Sequence, residues 1–256
     1  MEKEHAAVFR FYGELNDFLP PLRRKQDQRY AFTGKPGIKD AIEAQGVPYT
    51  EVDRIVVNGE SVGFGHPLMH GDRVAVYPLI ERLDIAPVVR LRGEPPQPTA
   101  FVLDVHLGKL ARLLRHLGFD TLYRTDYEDP EIIRIALDEH RILLTRDRRM
   151  LHDRRIVHAR WLHSTNAEEQ AGEVIRRFQL EQTVRRFRRC PSCNGLVQSV
   201  AKEEILPELE PLTRKYYSEF FRCADCRKIF WKGSHYDRIV DRLNAIVQAA
   251  PPREDG

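Results

Sequence analysis

The sequence predicts an α/β protein of more than one module, with a parallel β-sheet covered by helices on both faces at its centre. Three observations support this. Short apolar segments alternate with helical patterns over residues 100–188, which is typical of parallel strands joined by right-handed crossovers. A proline-rich stretch, residues 92–99, precedes this region, and two close cysteine pairs follow it. A chain of 256 residues has the length for two or three such modules.

The first predicted module is residues 1–91. The apolar patterns predict strands at its beginning, middle and end, and one short helix at residues 37–45. Asn58-Gly59 lies between two apolar stretches and predicts a tight hairpin, because both turn residues tolerate positive φ. The prolines of residues 92–99 remove backbone donors and fix φ, which indicates an interdomain linker.

The central module, residues 100–188, is predicted from apolar spacing. Strands are expected at residues 101–103, 121–123, 142–145 and 156–161. Between the first two strands, leucines at helical spacing predict a helix that ends at Gly118.

Two further helix starts are predicted from capping residues in the central module. Asp129 followed by Pro130 predicts a helix whose free N–H groups are capped by the aspartate side chain. Asn166 with Glu169 predicts a capping box at the start of another helix.

Carboxylates follow the ends of successive predicted strands. Asp104 follows the first strand, Asp129 lies after the second, and Asp147 follows the third. Because the carboxyl ends of parallel strands meet at one edge of a sheet, we expect these groups to converge there. Crowded carboxylates require a hard cation such as Mg²⁺ or Mn²⁺. The pattern predicts a metal-dependent phosphodiester hydrolase, although each acid taken alone is also compatible with a simple helix cap.

Arginines are concentrated near the same predicted edge. Residues 141–160 contain seven Arg and two acids. Such clustering favours a polyanionic partner, although a solvated helix face is the alternative. The cations expected to contact phosphate oxygens, electrostatically or through bidentate bonds, are Lys109, Arg112, Arg146, Arg148 and Arg149. Arg146, beside Asp147, is also expected to act in catalysis.

The four cysteines form two Cys-x-x-Cys pairs, Cys190 with Cys193 and Cys223 with Cys226. This spacing predicts one structural zinc ion in a ribbon at residues 189–245, followed by a flexible tail at residues 246–256. His235 is either a spare ligand or a substrate contact. The aromatic residues of this region either stack on nucleic-acid bases or pack the ribbon; they are Phe220, Phe221, Phe230 and Trp231.

Several of these segments together resemble a known family. They are Phe101-Val102-Leu103-Asp104, Leu107 to Arg115 with Leu117 to Asp120, Arg141 to Asp147, Cys190 to Asn194, and Phe230 to His235. They look like the Mut-seven C-terminal RNase domain family, which has a PIN-like fold. Many members of that family carry a ubiquitin-like (β-grasp) module in front. The resemblance implies a metal-dependent ribonuclease with Asp104, Asp129 and Asp147 as its acids.

One position departs from the PIN-like pattern. Many PIN-like domains have a further acid two residues after the position that corresponds to Asp147. Here that residue is Arg149. Either Asp126, Glu131 or Asp153 takes its place, or the site holds a single metal.

The expected function is therefore cleavage of RNA with catalytic Mg or Mn and structural Zn. An RNA-binding adaptor with a degenerate site and a ubiquitin-like scaffold are the alternatives, and a protein partner on the first module is also expected. The Val-Asn-Gly stretch at residues 57–59 resembles sulfur carriers, but the end of the first module runs on into a linker rather than a free Gly-Gly. Paired cysteines and the lack of a long apolar run predict a cytoplasmic protein without a membrane span.

Overall fold

The structure is a computed structural model that describes residues 4–78, 89, 91 and 95–248. It contains two compact units. The first comprises Met1–Glu94 together with Asp147–Trp161, and the second comprises Pro95–Arg146 together with Leu162–Gly256. By their contacts, residues 147–161, which the sequence assigns to the central module, group with the first unit. The beginning of the predicted linker, residues 92–94, lies outside the described residues.

The first unit contains a five-stranded sheet within its described residues. Its elements are β1 (His5–Phe11), β2 (Gln28–Phe32), α1 (Ile38–Ala44), β3 (Arg54–Val57), β4 (Glu60–Val62) and β5 (Arg73–Tyr77). The strand order is β2-β1-β5-β3-β4, with β1 and β5 parallel and the other neighbours antiparallel. This is the topology of a β-grasp domain. Apolar side chains of the sheet and of α1 form its core, among them Phe9, Phe11, Ile38, Ile42 and Ile55.

The hairpin between β3 and β4 confirms the prediction from Asn58-Gly59. Both residues have positive φ, 51° and 95°. Strand pairing continues directly on either side of them, from Val57 with Glu60 to Ile55 with Val62. A glycine in this conformation carries no Cβ penalty, which explains its place in the turn.

The second unit begins with the predicted alternation of strands and helices. Its elements are β6 (Ala100–Leu103), α2 (Gly108–Leu117), β7 (Asp120–Leu122), α3 (Asp129–Asp138) and β8 (Ile142–Thr145). Strand β6 is central and pairs in parallel with β7 on one side and with β8 on the other. The next strand, β9 (Ala159–Trp161), lies in the first unit, and α4 (Ala167–Phe178) returns to the second.

Helices cover both faces of the β7-β6-β8 sheet. Phe101, Leu103 and Leu144 pack into one core with α2 and α4. Val102 and Leu143 alternate with these residues along the strands, so they point to the opposite face, where α3 contacts β6 and β8. The predicted α/β class with a parallel sheet is confirmed.

The observed helix starts agree only in part with those predicted from the sequence. Asn166 caps α4 by accepting hydrogen bonds from the backbone N–H groups of Glu168 and Glu169. Pro130 lies in the first turn of α3, as predicted. The prediction that the Asp129 side chain caps α3 is wrong, because the helix already begins at Asp129 and the preceding Glu128 makes no side-chain cap.

The cysteine-containing part of the second unit contains a three-stranded antiparallel sheet. Its elements are β10 (Val197–Val200), α5 (Lys202–Ile205), α6 (Pro211–Tyr216), β11 (Phe220–Cys223) and β12 (Ile229–Trp231). Its small core contains Ile205, Leu209 and Phe220. The last helix, α7 (Tyr236–Gln248), instead packs Leu243 and Ile246 into the core of the main sheet.

Helix α7 therefore runs into the segment that was predicted as a tail. It continues to Gln248, beyond the predicted start of that tail at residue 246. The remaining tail residues, 249–256, lie outside the described residues. None of the described helices combines the length and the apolar character that a bilayer span requires.

Candidate functional site

Asp104 lies directly after the central strand β6 and is buried, with 3% of its surface exposed. Its Oδ1 accepts a hydrogen bond from the backbone N–H of His106 at 2.8 Å. Its Oδ2 accepts from the Thr145 hydroxyl at 2.6 Å and from the Arg146 backbone N–H at 2.5 Å. These three donors lie at the carboxyl ends of two neighbouring parallel strands, β6 and β8. They hold the carboxylate in one orientation at the carboxyl edge of the sheet.

The turn that follows Asp104 is supported by Tyr123. The Tyr123 hydroxyl donates a hydrogen bond to the Val105 carbonyl oxygen at 3.0 Å. A Cβ atom at Gly108 would lie 2.6 Å from the same hydroxyl oxygen, so any larger residue would force the Tyr123 side chain to move. Glycine at this position therefore allows Tyr123 to brace the segment between Asp104 and α2.

The other two predicted acids have different surroundings. Asp129 is exposed in the first turn of α3. Asp147 belongs to the first unit and accepts hydrogen bonds from the Arg149 backbone N–H at 2.9 Å and from its guanidinium at 2.6 Å. These bonds from Arg149 lower the pKa of Asp147 below its usual value.

Three acids were considered as replacements for the acid missing at Arg149. One of them, Glu131, lies in the first turn of α3, and the other two have arginine partners. Asp126 pairs with Arg124 at 2.6 Å, and Asp153 pairs with Arg155 at 2.6 Å. In the parts of the chain that the structure describes, no three carboxylates gather closely enough to form a candidate metal group.

Five cations were predicted near the acids, and all are exposed. Lys109 and Arg112 lie on α2, and Arg146 follows β8. Arg148 donates a hydrogen bond to the Asp17 carbonyl oxygen and lies over the Trp161 ring at 5.1 Å, all within the first unit. Arg148 and Arg149 are therefore engaged by protein groups.

The four cysteines form the one group of possible metal ligands found among the described residues. Their Sγ atoms all lie within 4.8 Å of one another. Cys190 and Cys226 are 3.7 Å apart, and Cys193 and Cys223 are 3.4 Å apart. A tetrahedral site with Zn–S bonds of about 2.3 Å has S···S edges of about 3.8 Å. The cysteine cluster therefore has the donor set and spacing of a closed zinc site.

The thiols of the cysteine cluster differ in their proton affinity. Burial opposes ionisation of Cys193, but a hydrogen bond from the Gly195 N–H and contacts with the other thiols lower its pKa to about 7. Burial raises the pKa values of Cys190 and Cys223 above their usual values. All four cysteines are free of disulfide bonds.

The first cysteine pair is attached to the edge strand β7, an arrangement that the sequence did not predict. The Asn194 side chain accepts a hydrogen bond from the Thr121 N–H at 2.9 Å and donates one to Asp120 at 2.9 Å. Arg115, buried on α2, donates to the carbonyl oxygens of Pro191 and Ser192. In the sequence, the attachment was indicated only by the position of Asn194 directly after a Cys-x-x-Cys pair.

Asp120 is the charged centre of this attachment. It also accepts hydrogen bonds from Arg141 at 2.7 Å and Arg189 at 2.9 Å. Burial opposes ionisation of Asp120, but hydrogen bonds from Arg141 and Asn194 and the nearby positive charges outweigh it. The pKa of Asp120 is therefore below its usual value.

The remaining predicted contacts lie on the ribbon and just after it. His235 is exposed immediately before α7 and outside the cysteine cluster. Phe220 is buried in the ribbon core, whereas Trp231 is 40% exposed. Phe221 and Phe230 are partly buried and form a cross-strand pair. Packing explains Phe220, and Trp231 is the aromatic side chain among the four that is most accessible to a base.

Comparison with known families agrees with this architecture. A model of the Mut7-C RNAse domain matches residues 99–243, which is more than half of the chain. The chain belongs to the Mut7-C RNAse domain family. A model of the Mut7-C ubiquitin domain matches residues 4–84, in agreement with the β-grasp topology of the first unit. No curated protein and no solved structure gave a match.

The ubiquitin-domain match covers the five-stranded sheet and ends in residues 79–84, which lie outside the described residues. The RNAse-domain match spans the parallel sheet, the ribbon and the cysteine cluster, and it ends within α7. Membership of this Mut7-C family indicates a nuclease-type function. It also confirms the predicted combination of a ubiquitin-like module with a PIN-like domain and a cysteine ribbon.

Proposed function

We propose that this Mut7-C protein is a metal-dependent ribonuclease that hydrolyses RNA phosphodiester bonds. The observation that carries the proposal is the environment of Asp104 in a domain of the RNAse family. A buried carboxylate at the carboxyl end of a central parallel strand, held by three donors, has the position and the rigidity expected of a metal ligand.

The hydrogen bonds of Asp104 leave it able to bind a cation. A carboxylate offers about four lone-pair sites. In the described residues, Oδ2 accepts two hydrogen bonds and Oδ1 accepts one. One site on Oδ1 therefore stays open to a hard cation. The Thr145 hydroxyl and the Arg146 N–H donate to Oδ2, and so they fix the orientation of the whole carboxylate, including its open Oδ1.

Asp129 and Asp147 are the other proposed ligands, because each follows a strand of the same sheet in the chain. When bound, Mg²⁺ or Mn²⁺ would activate water and stabilise the negative charge of the reacting phosphate. The residues proposed to contact the RNA backbone are Lys109, Arg112, Arg146, Arg148, Arg149 and His235. Arg149 would have to exchange its bonds to Asp147 for bonds to phosphate.

The assay is cleavage of labelled single-stranded and structured RNA with Mn²⁺, Mg²⁺ or EDTA. We expect cleavage that requires the metal and falls at least about 100-fold in Asp104→Asn and in Asp147→Asn. Asp241→Asn, an exposed change on α7, is the matched control and should retain full activity. Cleavage that persists in both site variants would overturn the proposed mechanism.

A second function is favoured by one specific observation. In the described residues the carboxylates form no candidate metal group, and Asp147 is neutralised by Arg149. An RNA-binding adaptor with a degenerate site fits this arrangement. The same assay separates the two functions, since the adaptor binds RNA in a salt-dependent manner without cleaving it under any metal.

We further propose that the cysteine cluster binds one structural zinc ion. Four thiolates complete a tetrahedral shell and leave no position for water, so the zinc would take no part in the chemistry. Four free thiols suit a reducing compartment, and we place the protein in the cytoplasm on that ground.

A further inference from the structure

The ubiquitin-like module holds a long segment of the same chain, residues 147–161, which begins at Asp147. Glu51, on a short 3-10 helix of the module, is completely buried. Its carboxylate accepts hydrogen bonds from the buried guanidinium of Arg160 and from the backbone N–H of Trp161, the latter at 2.9 Å. Arg160 also pairs with Glu14 at 2.5 Å.

The middle of this segment is held by further contacts with α1 and the adjoining turn. The Tyr49 hydroxyl donates a hydrogen bond to the Ile156 carbonyl oxygen at 2.6 Å. Arg154 lies 3.4 Å from the carboxylate of Glu43 and 3.8 Å from that of Asp40. These contacts are more exposed than the Glu51–Arg160 pair and add positions along the segment at which the module restrains it.

The two ends of the segment meet the module at one place. Phe18 packs edge-to-face against Trp161, with ring centroids 5.1 Å apart. Arg148 lies over the same indole ring and donates a hydrogen bond to the carbonyl oxygen of Asp17. Arg148 directly follows Asp147, so the module restrains the residue adjoining the proposed ligand.

We propose that the ubiquitin-like module acts in cis as a clamp on residues 147–161, and that Glu51 is a positioning residue for Asp147. The surface of the module around Glu51 then has this chain's own segment as its partner. A buried carboxylate and a buried guanidinium each require the other, since either one left alone in a dry interior is strongly unfavourable. The catalytic part of this proposal rests on the proposed ribonuclease function.

The clamp predicts a different use of the module from that of a ubiquitin-like tag. A tag presents its surface to other proteins, whereas here Glu51, Arg160 and the face of Trp161 are already occupied within the chain. A protein that bound this surface would first have to displace residues 147–161.

The first test measures hydrogen exchange in the full-length protein. In Glu51→Gln, we expect amides of residues 148–161 to exchange at least about tenfold faster, because the change removes the buried one of the two carboxylates that pair with Arg160. Glu60→Gln makes the same chemical change at an exposed position of the same module and should leave exchange unaltered. Unchanged exchange in Glu51→Gln would overturn the clamp.

A milder variant covers the case in which Glu51→Gln does not fold. Tyr49→Phe removes only the hydroxyl that contacts Ile156. We expect exchange near Ile156 to increase about threefold, the effect of losing one ordinary hydrogen bond. If exchange there is unchanged in a folded Tyr49→Phe protein, the clamp is equally contradicted.

The second test measures RNA cleavage by the same variants. If Glu51 positions Asp147, kcat falls about tenfold or more in Glu51→Gln while KM changes less than about twofold. Faster exchange with an unchanged kcat would overturn the positioning role. If the unmodified protein cleaves no RNA, the proposed function fails, and the exchange experiment still decides the clamp.

Discussion

The side-chain amide of Asn194 donates a hydrogen bond to the carboxylate of Asp120 across 2.9 Å. This contact joins the first cysteine pair to the first residue of β7, the edge strand of the Mut7-C domain. The same side chain accepts a hydrogen bond from the Thr121 N–H. Asn194 thus satisfies an edge-strand donor that would otherwise be buried without a partner, since Thr121 is fully buried.

We predict that Asn194→Ala lowers the free energy of unfolding by about 2 kcal/mol, the usual penalty for a buried N–H group left without an acceptor. Urea unfolding followed by circular dichroism measures the change. Gln198→Ala removes an exposed amide from β10 of the same ribbon and should cost less than about 0.5 kcal/mol. Equal effects of the two substitutions would contradict this role of Asn194.

The pH dependence of stability should reveal the ion pairs of Asp120. Its pKa in the folded protein is lower than in the unfolded chain, where it is about 3.9. The stability that Asp120 contributes is therefore present above about pH 4 and is lost as the pH falls through its folded pKa. Urea unfolding from pH 3 to pH 7 should show a shallower acidic decline for Asp120→Asn. Parallel curves for the two proteins would contradict the prediction.

The zinc content of the protein should depend on the cysteine cluster. We expect about one zinc ion per chain by metal analysis, lost when Cys190→Ser and Cys223→Ser are combined. Because Asn194 attaches the cluster to β7, loss of the metal should also lower the melting temperature of the domain. An absorption spectrum of an iron–sulfur centre would show that the metal is a different one.

Local features of the fold could be predicted from the sequence because their causes are local. The Asn58-Gly59 hairpin and the Asn166 cap each depend on a few adjacent residues. The zinc site was predicted from the two-residue spacing within each cysteine pair, which is also local. Asp104 was predicted as a site residue because strand ends in a parallel sheet meet at one edge, and the structure adds that it is buried and held by three donors.

Long-range pairings could not be predicted in the same way. Glu51 and Arg160 lie 109 residues apart, and no periodicity links them. The grouping of residues 147–161 with the first unit likewise arises from contacts between residues far apart in the chain. The Asp129 cap failed for a different reason, because the helix begins at Asp129 itself and the N-cap position falls on Glu128.

Thr145 should contribute more to stability than an ordinary buried threonine. Its hydroxyl donates to the carboxylate of Asp104, whereas the equally buried Thr121 hydroxyl donates to a neutral carbonyl oxygen. Hydrogen bonds to charged groups contribute about 1.5–3 kcal/mol and neutral ones about 0.5–1.5 kcal/mol. We predict that Thr145→Val costs about 1 kcal/mol more than Thr121→Val in urea unfolding. The excess should vanish in an Asp104→Asn background, and an excess that persists there would exclude Asp104 as its cause.

Gly118, at the end of α2, should tolerate no side chain. Its φ is 100°, and a Cβ atom would lie 2.0 Å from the Arg185 carbonyl oxygen. The chain cannot move away easily, because Arg185 and Phe187 donate backbone hydrogen bonds to Leu117 and His116 at the same helix end. Left-handed geometry costs about 1–2 kcal/mol for a residue with a Cβ, and overpacking adds about 1–3 kcal/mol.

We therefore predict that Gly118→Ala lowers the free energy of unfolding by about 2–5 kcal/mol. Gly65→Ala is the matched control, because Gly65 has no positive φ and no atom within 4 Å of an added Cβ. That substitution should change stability by less than about 1 kcal/mol. Thermal and urea unfolding of both variants measure the difference. A Gly118→Ala protein as stable as the control would mean that residues 185–187 do not pack across the end of α2.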